Sequence, residues 1–395
     1  MISEIYSKLQ QSDPTLGLLS EIHTHYLKKN IPNAFRLRDQ WGPWSSIAAD
    51  QWALHEKALE KAPEWVAAGC LFERRSLEQC TSTAVARAKA DFFSALIPHM
   101  PIHDLCAGFG IDAWAWSLTQ RPVTAVEIDP ALHNLALCNL SLNPHPVTRV
   151  CGDAEDHWQS HREQIALFMA DPDRRDGSTR LGAQWDLYRP HIWPWIDDRK
   201  PGQHWLIKLS PMTDLSALRS QIDVEFDAYF IAFEAETKEL LVHVHDQAKQ
   251  IVDVLICSKE GRAQSWTALL NEPFQAGSQS YLFEPHGAAF AARLNRHMPP
   301  SFEPLTRGHG FFKVPFLVSA QWGRCYALVS HWEGSINSIG QELKRLGIQG
   351  ASITVRESRL SADSIRKKWG LRESQNQFVF VSERDRHFSA WLVRR

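Results

Sequence analysis

Residues 104–112 read DLCAGFGID, with two glycines around one phenylalanine. It follows a short apolar run and leads into the helix-like segment IDAWAWSL. A strand, a glycine-containing turn and a helix in this order are typical of a nucleotide-binding loop. A phosphate-binding loop would read GxGxxG or end in GKS or GKT, and this stretch has neither pattern. No basic residue lies close to it in the sequence, so we expect a nucleotide that makes no pyrophosphate contact here.

The sequence around this loop alternates between short apolar runs and helix-like segments. The runs PIHDLC, VTAVEI, TRVCGD, IALFMAD and HWLIKLS are mostly separated by stretches with helical apolar spacing. Such alternation predicts an α/β fold, in which crossover helices connect a parallel sheet. Two further strand-like runs, FDAYFIAFEAE (226–236) and KELLVHVHD (238–246), surround a polar turn. We expect them to form an antiparallel hairpin that ends the sheet.

An acidic residue lies at the end of each of the first three predicted strands. Asp104 ends the first strand, Glu127 ends the second within VEIDP, and Asp153 follows the third within GDAED. Asp104 suits a cationic amino group, Glu127 lies where Rossmann-type folds bind ribose hydroxyls, and Asp153 is placed to accept from an adenine amino group. Gly108 and Gly110 let the backbone approach a ligand that a Cβ would hit. These features favour the sulfonium nucleoside S-adenosylmethionine (SAM) over NAD.

This core resembles the class I SAM-dependent methyltransferases. DLCAGFG is similar to the glycine-rich motif of that family, VEIDP to its acidic second motif, GDAED to its third and ADPDRR to its fourth. Cys106 stands where the loop usually has its first glycine, and we count it among the cofactor-binding positions. The resemblance implies a Rossmann-like sheet and SAM as the cofactor.

A narrower resemblance covers roughly residues 75–395. SLEQCTSTAVARAKA (76–90), FMADPDRRDGSTRL (168–181), YLFEP (281–285) and the C-terminal segment are similar to bacterial RNA methyltransferases that end in a THUMP-like domain. From residue 325 the sequence predicts strand, helix, strand, helix, strand and strand. The implied organisation is an N-terminal helical region, a methyltransferase domain, a ferredoxin-like small segment and a THUMP-like domain, at 1–75, 76–260, 281–325 and 326–395. The resemblance also implies RNA, either tRNA or rRNA, as the partner.

The composition is that of an ordinary soluble protein, with 44% hydrophobic and 22% charged residues. The first residues are too polar for a signal peptide and no apolar run reaches membrane-spanning length, so we expect a cytoplasmic protein without a membrane partner. The seven cysteines form no CxxC pair, so they indicate neither a zinc site nor a disulfide framework. Residues 340–395 hold 12 Lys and Arg against 6 Asp and Glu, a basic module that hints at nucleic acid.

The residues after the fourth strand, 171–175, should face the methyl donor and read DPDRR. Enzymes that methylate base amino groups usually have an aromatic residue where this chain has Arg174. Enzymes that methylate uracil at carbon 5 need a cysteine nucleophile after the fifth strand, and HWLIKLSP has none. Of the three acceptors compared, the ribose 2′-hydroxyl is the one that these residues do not argue against. We expect Arg174 and Arg175 to contact an RNA phosphate or a stacked base.

The 2′-O methyltransferases of this fold resemble one another in a Lys-Asp-Lys-Glu tetrad. This sequence has Lys89 on the helix before the first strand, Asp171 after the fourth, Lys208 on the fifth and Glu239 at the start of the last. We expect these four catalytic candidates to converge near the methyl group. Lys208 would then lower the pKa of the incoming hydroxyl, or take its proton if the pKa of Lys208 itself is depressed.

Two other functions remain open from the sequence. One is a small-molecule methyltransferase whose C-terminal module serves dimerisation. The other is a protein that binds SAM and RNA without turnover. Neither the acceptor nucleotide nor the oligomeric state can be predicted from these motifs.

Overall fold

The computed structural model describes residues 38–39, 42 and 45–394, apart from 144, 174, 177–178, 181–187, 271–273, 275–276 and 278. The first half of the predicted N-terminal helical region, residues 1–37, lies outside the described residues. The chain divides into two compact units. The first comprises Met1–Phe233 and Lys238–Gln264, and the second comprises Glu234–Thr237 and Ser265–Arg395.

The described part of the N-terminal region is helical, as expected. Its helices are α1 (Ser45–Lys61), α2 (Pro63–Ala67) and α3 (Arg74–Gln79). Pro63 suits the first turn of α2 because the backbone N–H that proline lacks would have no helical partner there. Leu54, Trp65 and Phe72 lie in the same hydrophobic core as the strands of the first unit. These helices therefore pack into that unit.

The next helix, α4 (Thr83–Leu96), begins at Ser82, whose side chain accepts a hydrogen bond from the backbone N–H of Val85. Strands and helices then alternate. They are β1 (Ile102–Asp104), α5 (Ile111–Ser117), β2 (Val123–Glu127), α6 (Pro130–Leu142), β3 (Val147–Cys151), α7 (Ala154–His161), β4 (Leu167–Ala170), the short β5 (Arg175–Asp176) and β6 (Thr179–Arg180), α8 (Trp193–Asp197), β7 (His204–Leu209), α9 (Leu215–Gln221), β8 (Phe226–Phe233), β9 (Glu236–Val244), β10 (Val252–Cys257) and β11 (Ala263–Ser265).

The strands of the first unit form a nine-stranded sheet in the order β11-β10-β8-β9-β7-β4-β1-β2-β3. Strands β3, β2, β1, β4 and β7 are parallel, and β9 is antiparallel to β7. The α/β prediction is confirmed. Because the chain winds from β1 first toward β3 and then toward β7, a crevice opens outside the carboxyl ends of β1 and β4. The candidate site lies at this edge.

The prediction that the β8–β9 hairpin ends the sheet is wrong. Strand β10 pairs with β8 in parallel, and β11 extends the sheet further. The physical reason lies in β8, which is buried along seven of its eight residues. An apolar strand buried in this way needs a paired neighbour on its outer edge, since its backbone polar groups would otherwise be desolvated without partners.

The second unit contains α10 (Trp266–Leu270), β12 (Tyr281–Pro285), α11 (Gly287–Ala291), a 3₁₀ turn (Leu294–Arg296), β13 (Glu303–Pro304), β14 (Phe312–Val314), β15 (Gly323–Gly334), α12 (Ile336–Arg345), β16 (Ser352–Arg356), α13 (Ala362–Trp369), β17 (Phe378–Arg384) and β18 (His387–Arg394). The predicted order of elements after residue 325 is confirmed. One seven-stranded sheet, β13-β14-β12-β15-β18-β17-β16, contains the strands of both 281–325 and 326–395. The ferredoxin-like segment therefore has no sheet of its own.

The core of the C-terminal module forms where its two helices cover the sheet. Ile339 and Leu343 of α12 and Ile365 of α13 are buried against Val379 and Ala390 of the strands. None of the helices in the described part of the chain has the length and apolarity that a membrane crossing requires.

Candidate active site

The glycine loop follows β1 and is fixed by Glu127, the acid that ends β2. Gly108 has φ +52° and Gly110 has φ +98°, a left-handed region that glycine adopts without the penalty of a Cβ. The N–H of Gly108 donates to Glu127 Oε2 at 2.8 Å, and the N–H of Asp129 donates to Glu127 Oε1 at 2.9 Å. The Glu127 carboxylate thus joins the loop to the end of β2, beside the space that a nucleoside would occupy.

Asp104 is a buried carboxyl at the end of β1. Among the described residues it receives one long hydrogen bond, 3.3 Å from the backbone N–H of Cys106. Burial, followed by repulsion from Asp112, raises the pKa of Asp104 to about 7. A cationic ligand group would relieve both effects. Burial also raises the pKa of the Cys106 thiol well above its usual value, so this cysteine stays neutral and is no nucleophile.

Arg149 is a basic residue beside the loop that no sequence motif indicated. Its Nη2 donates to the carbonyl oxygen of Gly108 at 3.0 Å, and its charge interacts with Asp104 and Glu127. A Cβ on Gly110 would lie only 2.9 Å from Arg149 Nη1. Arg149 lies on β3, 39 residues beyond Gly110, and reaches the loop only because β3 and β2 are neighbours. The loop has no basic neighbour in the sequence, but it has one in the folded structure.

Asp153 lies at the end of β3, as predicted, but its carboxylate has a structural task. It caps α7 by accepting hydrogen bonds from the N–H groups of Glu155 at 2.7 Å and Asp156 at 3.3 Å. Its side chain is exposed at the same edge as Asp104 and Glu127. A contact with an adenine amino group stays a prediction.

The four residues of the predicted tetrad come together in one buried cluster. Lys89 Nζ of α4 lies 2.5 Å from Glu239 Oε1 of β9. Lys208 Nζ of β7 lies 2.7 Å from Asp171 Oδ2, just after β4, and 3.7 Å from Glu239 Oε2. Glu239 therefore links the two lysines, and Lys208 links Glu239 to Asp171.

Two further residues, Asp112 and Thr81, belong to the same cluster. Asp112 Oδ1 lies 2.9 Å from Lys89 Nζ, and Asp112 Oδ2 lies 3.9 Å from Lys208 Nζ. The Thr81 hydroxyl donates to Asp112 Oδ2 at 2.7 Å and accepts from Lys208 Nζ at 3.1 Å. In the sequence, only their positions could have indicated these residues: Asp112 lies in the first turn after the glycine loop, and Thr81 lies just before α4. Neither spacing by itself indicates that a side chain points into a cluster.

The charges of the cluster stabilise one another. Burial opposes the charge on Lys89 and Lys208, but the surrounding carboxylates outweigh it and raise the pKa of both lysines. Burial likewise opposes ionisation of Asp112, yet Lys89 and Lys208 lower its pKa to about 2. Both lysines are therefore cations at neutral pH. The alternative in which Lys208 has a depressed pKa and takes a proton as a neutral amine is wrong.

Depth separates the members of the cluster. The side chain of Asp171 is 32% exposed and that of Lys208 is 10% exposed, whereas Lys89 and Glu239 are 6% and 4% exposed. Asp171 therefore lies closest to the crevice, followed by Asp112, which is 16% exposed, and Lys208. Lys89 and Glu239 lie beneath them and hold Lys208 in position.

Arg174 and Arg175 are the two residues predicted to contact the substrate. Arg174 and the side chain of Arg175 lie outside the described residues. Their neighbour Asp173 forms an exposed ion pair with Arg75, at 3.7 Å. Its backbone N–H donates to the carbonyl of Arg189 at 2.7 Å. The role of Arg174 and Arg175 stays a prediction.

Residues 323–395 match the model of a family described as THUMP domain-like. This segment is THUMP-like. The crystal structure of a candidate methyltransferase from Porphyromonas gingivalis aligns with 96% of this chain and 98% of that protein, with a TM-score of 0.73 and 20% identity. The chain therefore has the fold of that protein over nearly its whole length. The expected fold, a class I methyltransferase sheet followed by a THUMP-like domain, is confirmed.

Weaker matches cover only part of the chain. A candidate class I SAM-dependent methyltransferase from Listeria monocytogenes aligns with 59% of this chain and 83% of that protein, with a TM-score of 0.38 and 12% identity. A 16S rRNA methyltransferase from Thermus thermophilus, crystallised with AdoMet and guanosine, covers 45% of this chain and 44% of that protein, with a TM-score of 0.32 and 13% identity. No curated protein matches the sequence of this chain.

Proposed function

We propose that this protein is a SAM-dependent methyltransferase that acts on RNA, and that its acceptor is a ribose 2′-hydroxyl. The observation that carries the proposal is the ion pair of Lys208 with Asp171, set at the crevice edge and supported from below by Glu239. A hydroxyl is a weak acid, and a fixed cation beside it stabilises the oxygen as negative charge develops.

The residues around the glycine loop fit SAM. Asp104 would hold its cationic amino group, and Glu127 would bind the ribose hydroxyls with the lone pairs that Gly108 and Asp129 leave free. Bound SAM supplies a methyl group on a sulfonium sulfur. Gly108 and Gly110 keep the loop backbone open for the nucleoside.

Lys208 and Asp171 then have different tasks. The Lys208 ammonium would donate a hydrogen bond to the incoming hydroxyl and lower its pKa. Asp171 would orient Lys208 and accept the hydroxyl proton directly or through water, because it is the most exposed acid of the cluster. Lys89 and Glu239 act as positioning residues, since their depth keeps them from the substrate.

The cluster also contains a cysteine at its edge, which bears on methylation of carbon 5. The charge of Cys80 interacts with Lys208 and Asp112, but burial is the largest effect and raises the pKa of its thiol. A neutral thiol is a poor nucleophile for attack on a pyrimidine ring. The raised pKa of the Cys80 thiol therefore favours transfer to oxygen over a covalent mechanism at this cysteine.

Exposed lysines of the second unit support RNA as the partner. Lys344 lies in the last turn of α12, and Lys367 and Lys368 lie in the last turn of α13. Lys344 Nζ comes within 4.0 Å of the position that a Cβ on Gly370 would take, so the two helix ends are neighbours. Within the described part of the chain none of these three lysines forms an ion pair with a carboxylate. We call this set the lysine patch, and it offers its charge to a phosphate backbone.

The acceptor can be tested directly. The purified full-length protein should transfer labelled methyl groups from SAM to tRNA or rRNA. Nucleoside mass spectrometry of RNA from a deletion strain and its parent should then show one 2′-O-methylated nucleoside missing. A missing base-methylated nucleoside would overturn the 2′-O acceptor. Label in small molecules alone, or SAM binding without any product, would favour one of the other two functions.

We expect Glu127→Ala to weaken SAM binding by about 1–3 kcal/mol, roughly 5- to 150-fold, because charged hydrogen bonds to ribose and the tie to Gly108 are lost. Isothermal titration calorimetry on the purified protein measures the change. Glu155→Ala, at an exposed acid of α7, is the matched control and should keep the wild-type affinity. Unchanged affinity in Glu127→Ala would remove this residue from the cofactor site.

We expect the triple variant Lys344→Gln/Lys367→Gln/Lys368→Gln to bind RNA at least about 10-fold more weakly at moderate salt. The slope of log affinity against log salt should fall by about 2, since each lost phosphate contact releases fewer counterions. Fluorescence anisotropy with labelled total tRNA measures both quantities. Lys313→Gln, outside the patch, is the control. An unchanged slope in the triple variant would show that RNA does not use the lysine patch.

A further inference from the structure

Three histidines gather on one face of the sheet, away from the charged cluster. His204 begins β7, His243 lies near the end of β9, and His245 follows β9 directly. Trp205 pairs with Val244 and Leu206 with His243, so His204 lies opposite His245. The rings of His243 and His245 are stacked with centroids 4.2 Å apart, and those of His204 and His245 are 5.6 Å apart. Each histidine offers one nitrogen within 4.8 Å of the others.

This spacing is close to that of a metal-bound set. Tetrahedral zinc with Zn–N bonds of 2.0–2.1 Å holds its nitrogen ligands about 3.3 Å apart. His204 Nδ1 and His243 Nε2 are already 3.0 Å apart. The two histidines of β9 are separated by one residue, which puts both on the same face of the strand. Small side-chain rotations would bring all three nitrogens onto one ion.

A carboxylate orients the third histidine. Asp227 Oδ2 lies 3.1 Å from His245 Nε2, which leaves Nδ1 of this ring for a ligand. Asp227 is itself fixed, because its Oδ1 accepts hydrogen bonds from the N–H groups of Lys249 at 3.1 Å and Ile251 at 2.8 Å. Metal-bound histidines commonly donate their second ring N–H to such a carboxylate, which raises the basicity of the ligating nitrogen.

The surroundings suit an ion with an open fourth position. Phe93 of α4 packs edge-on against His243, at a centroid distance of 5.9 Å, and covers the buried side. His204 and His245 remain partly exposed, so water can complete the coordination. The charges of Asp246 and Arg121 act on His204 with opposite signs, and Asp227 places a carboxylate beside His245.

We propose that His204, His243 and His245 form a binding site for a divalent transition metal of the zinc type, with Asp227 as the carboxylate that orients His245. His204 precedes Lys208 by four residues, or about 13 Å along the strand. The ion is therefore a clamp and takes no part in methyl transfer. It joins β7, which carries Lys208, to β9, which carries Glu239.

A second histidine group in the same unit provides a matched control. His103, His157 and His161 are also close, with His103 Nδ1 at 2.8 Å from His157 Nε2. His161 Nδ1, however, is 2.8 Å from the carbonyl oxygen of His157. Among the described residues, only the group of His204, His243 and His245 brings three ligand atoms within metal-binding reach.

The experiment uses the full-length protein without a histidine tag, stripped of metal with a chelator. Zn²⁺ is titrated against a chromophoric competitor, and Co²⁺ is used to record the visible bands of a tetrahedral site. We expect one equivalent of Zn²⁺ with a Kd below micromolar, tetrahedral Co²⁺ bands, and a melting temperature raised by about 5 °C or more. His243→Asn should weaken the site at least 100-fold, and Asp227→Asn should weaken it about 10- to 100-fold.

His157→Asn, in the second histidine group, should bind Zn²⁺ as the wild type does. His245→Gln, at the partly exposed position, repeats the test should His243→Asn fail to fold. A wild-type protein without a sub-micromolar Zn²⁺ site would overturn the proposal. Undiminished binding by a folded His243→Asn or His245→Gln protein would do the same, since the ion would then lie elsewhere.

Discussion

Lys208→Met is expected to slow methyl transfer to RNA by about 10²–10³-fold while SAM binds within about threefold of the wild-type affinity. The substitution keeps the length of the side chain but removes the ammonium that faces Asp171 at 2.7 Å. Without that cation the acceptor hydroxyl would keep its high pKa, whereas the SAM contacts proposed for Asp104 and Glu127 would not be touched. Single-turnover kinetics measure the rate, and calorimetry measures SAM binding.

Two control proteins make the result specific. Lys57→Met removes an exposed lysine of the same unit, whose partner Glu78 is also exposed, and should retain the full rate. Lys208→Arg keeps the charge but enlarges the head group and should recover only part of the activity. If folded Lys208→Met protein turned over at the wild-type rate, Lys208 would have no part in the chemistry.

Lys89→Met is expected to lower the free energy of unfolding by about 3–5 kcal/mol, because it leaves buried acids without their closest cation. Lys89 Nζ lies 2.5 Å from Glu239 and 2.9 Å from Asp112, and the remaining cation, Lys208, is 3.7 Å or more from both. Urea denaturation followed by circular dichroism measures the change.

A double variant separates loss of charge balance from loss of packing. Lys89→Met/Glu239→Leu replaces the buried pair by apolar groups and should recover much of the stability that Lys89→Met loses. The exposed pair of Lys57 and Glu78 is the comparison, where Lys57→Met should cost less than about 1 kcal/mol. A loss below 1 kcal/mol for Lys89→Met would mean that the buried acids are compensated in another way.

The sequence predicted the parts of the site whose position follows from the order of elements. Lys89, Asp171 and Lys208 each lie on a predicted helix or strand end, so the known geometry of a parallel sheet brings them to one edge. Arg149 could not be found in this way, because its contact with the loop depends on the side chain crossing from β3. Asp112 was visible in the first motif, but sequence spacing does not show which way a residue in a first helical turn points.

The outer strands of the sheet and the histidine group could not be predicted from the sequence for a different reason. Strand β10 is a short apolar run beside a polar segment, and a run of this kind does not reveal whether it extends a sheet or crosses a loop. The pairing of His204 with His245 depends on the register between β7 and β9, which the hydrophobic pattern does not specify for strands with 26 residues between them. Cysteine spacing is the usual sequence indicator of a zinc site, but it cannot indicate a site that consists of histidines alone.

Glu239 and Lys89 are separated by 150 residues yet share one short ion pair. The carboxylate arrives on β9, which inserts between β7 and β8 after both have been synthesised. A ribosome-bound chain that ends before β9 thus has the glycine loop, Asp171 and Lys208, but its two lysines repel each other with only Asp112 and Asp171 to balance them. The complete charge-balanced cluster, and the proposed methyl transfer that depends on it, therefore form only once β9 has been synthesised.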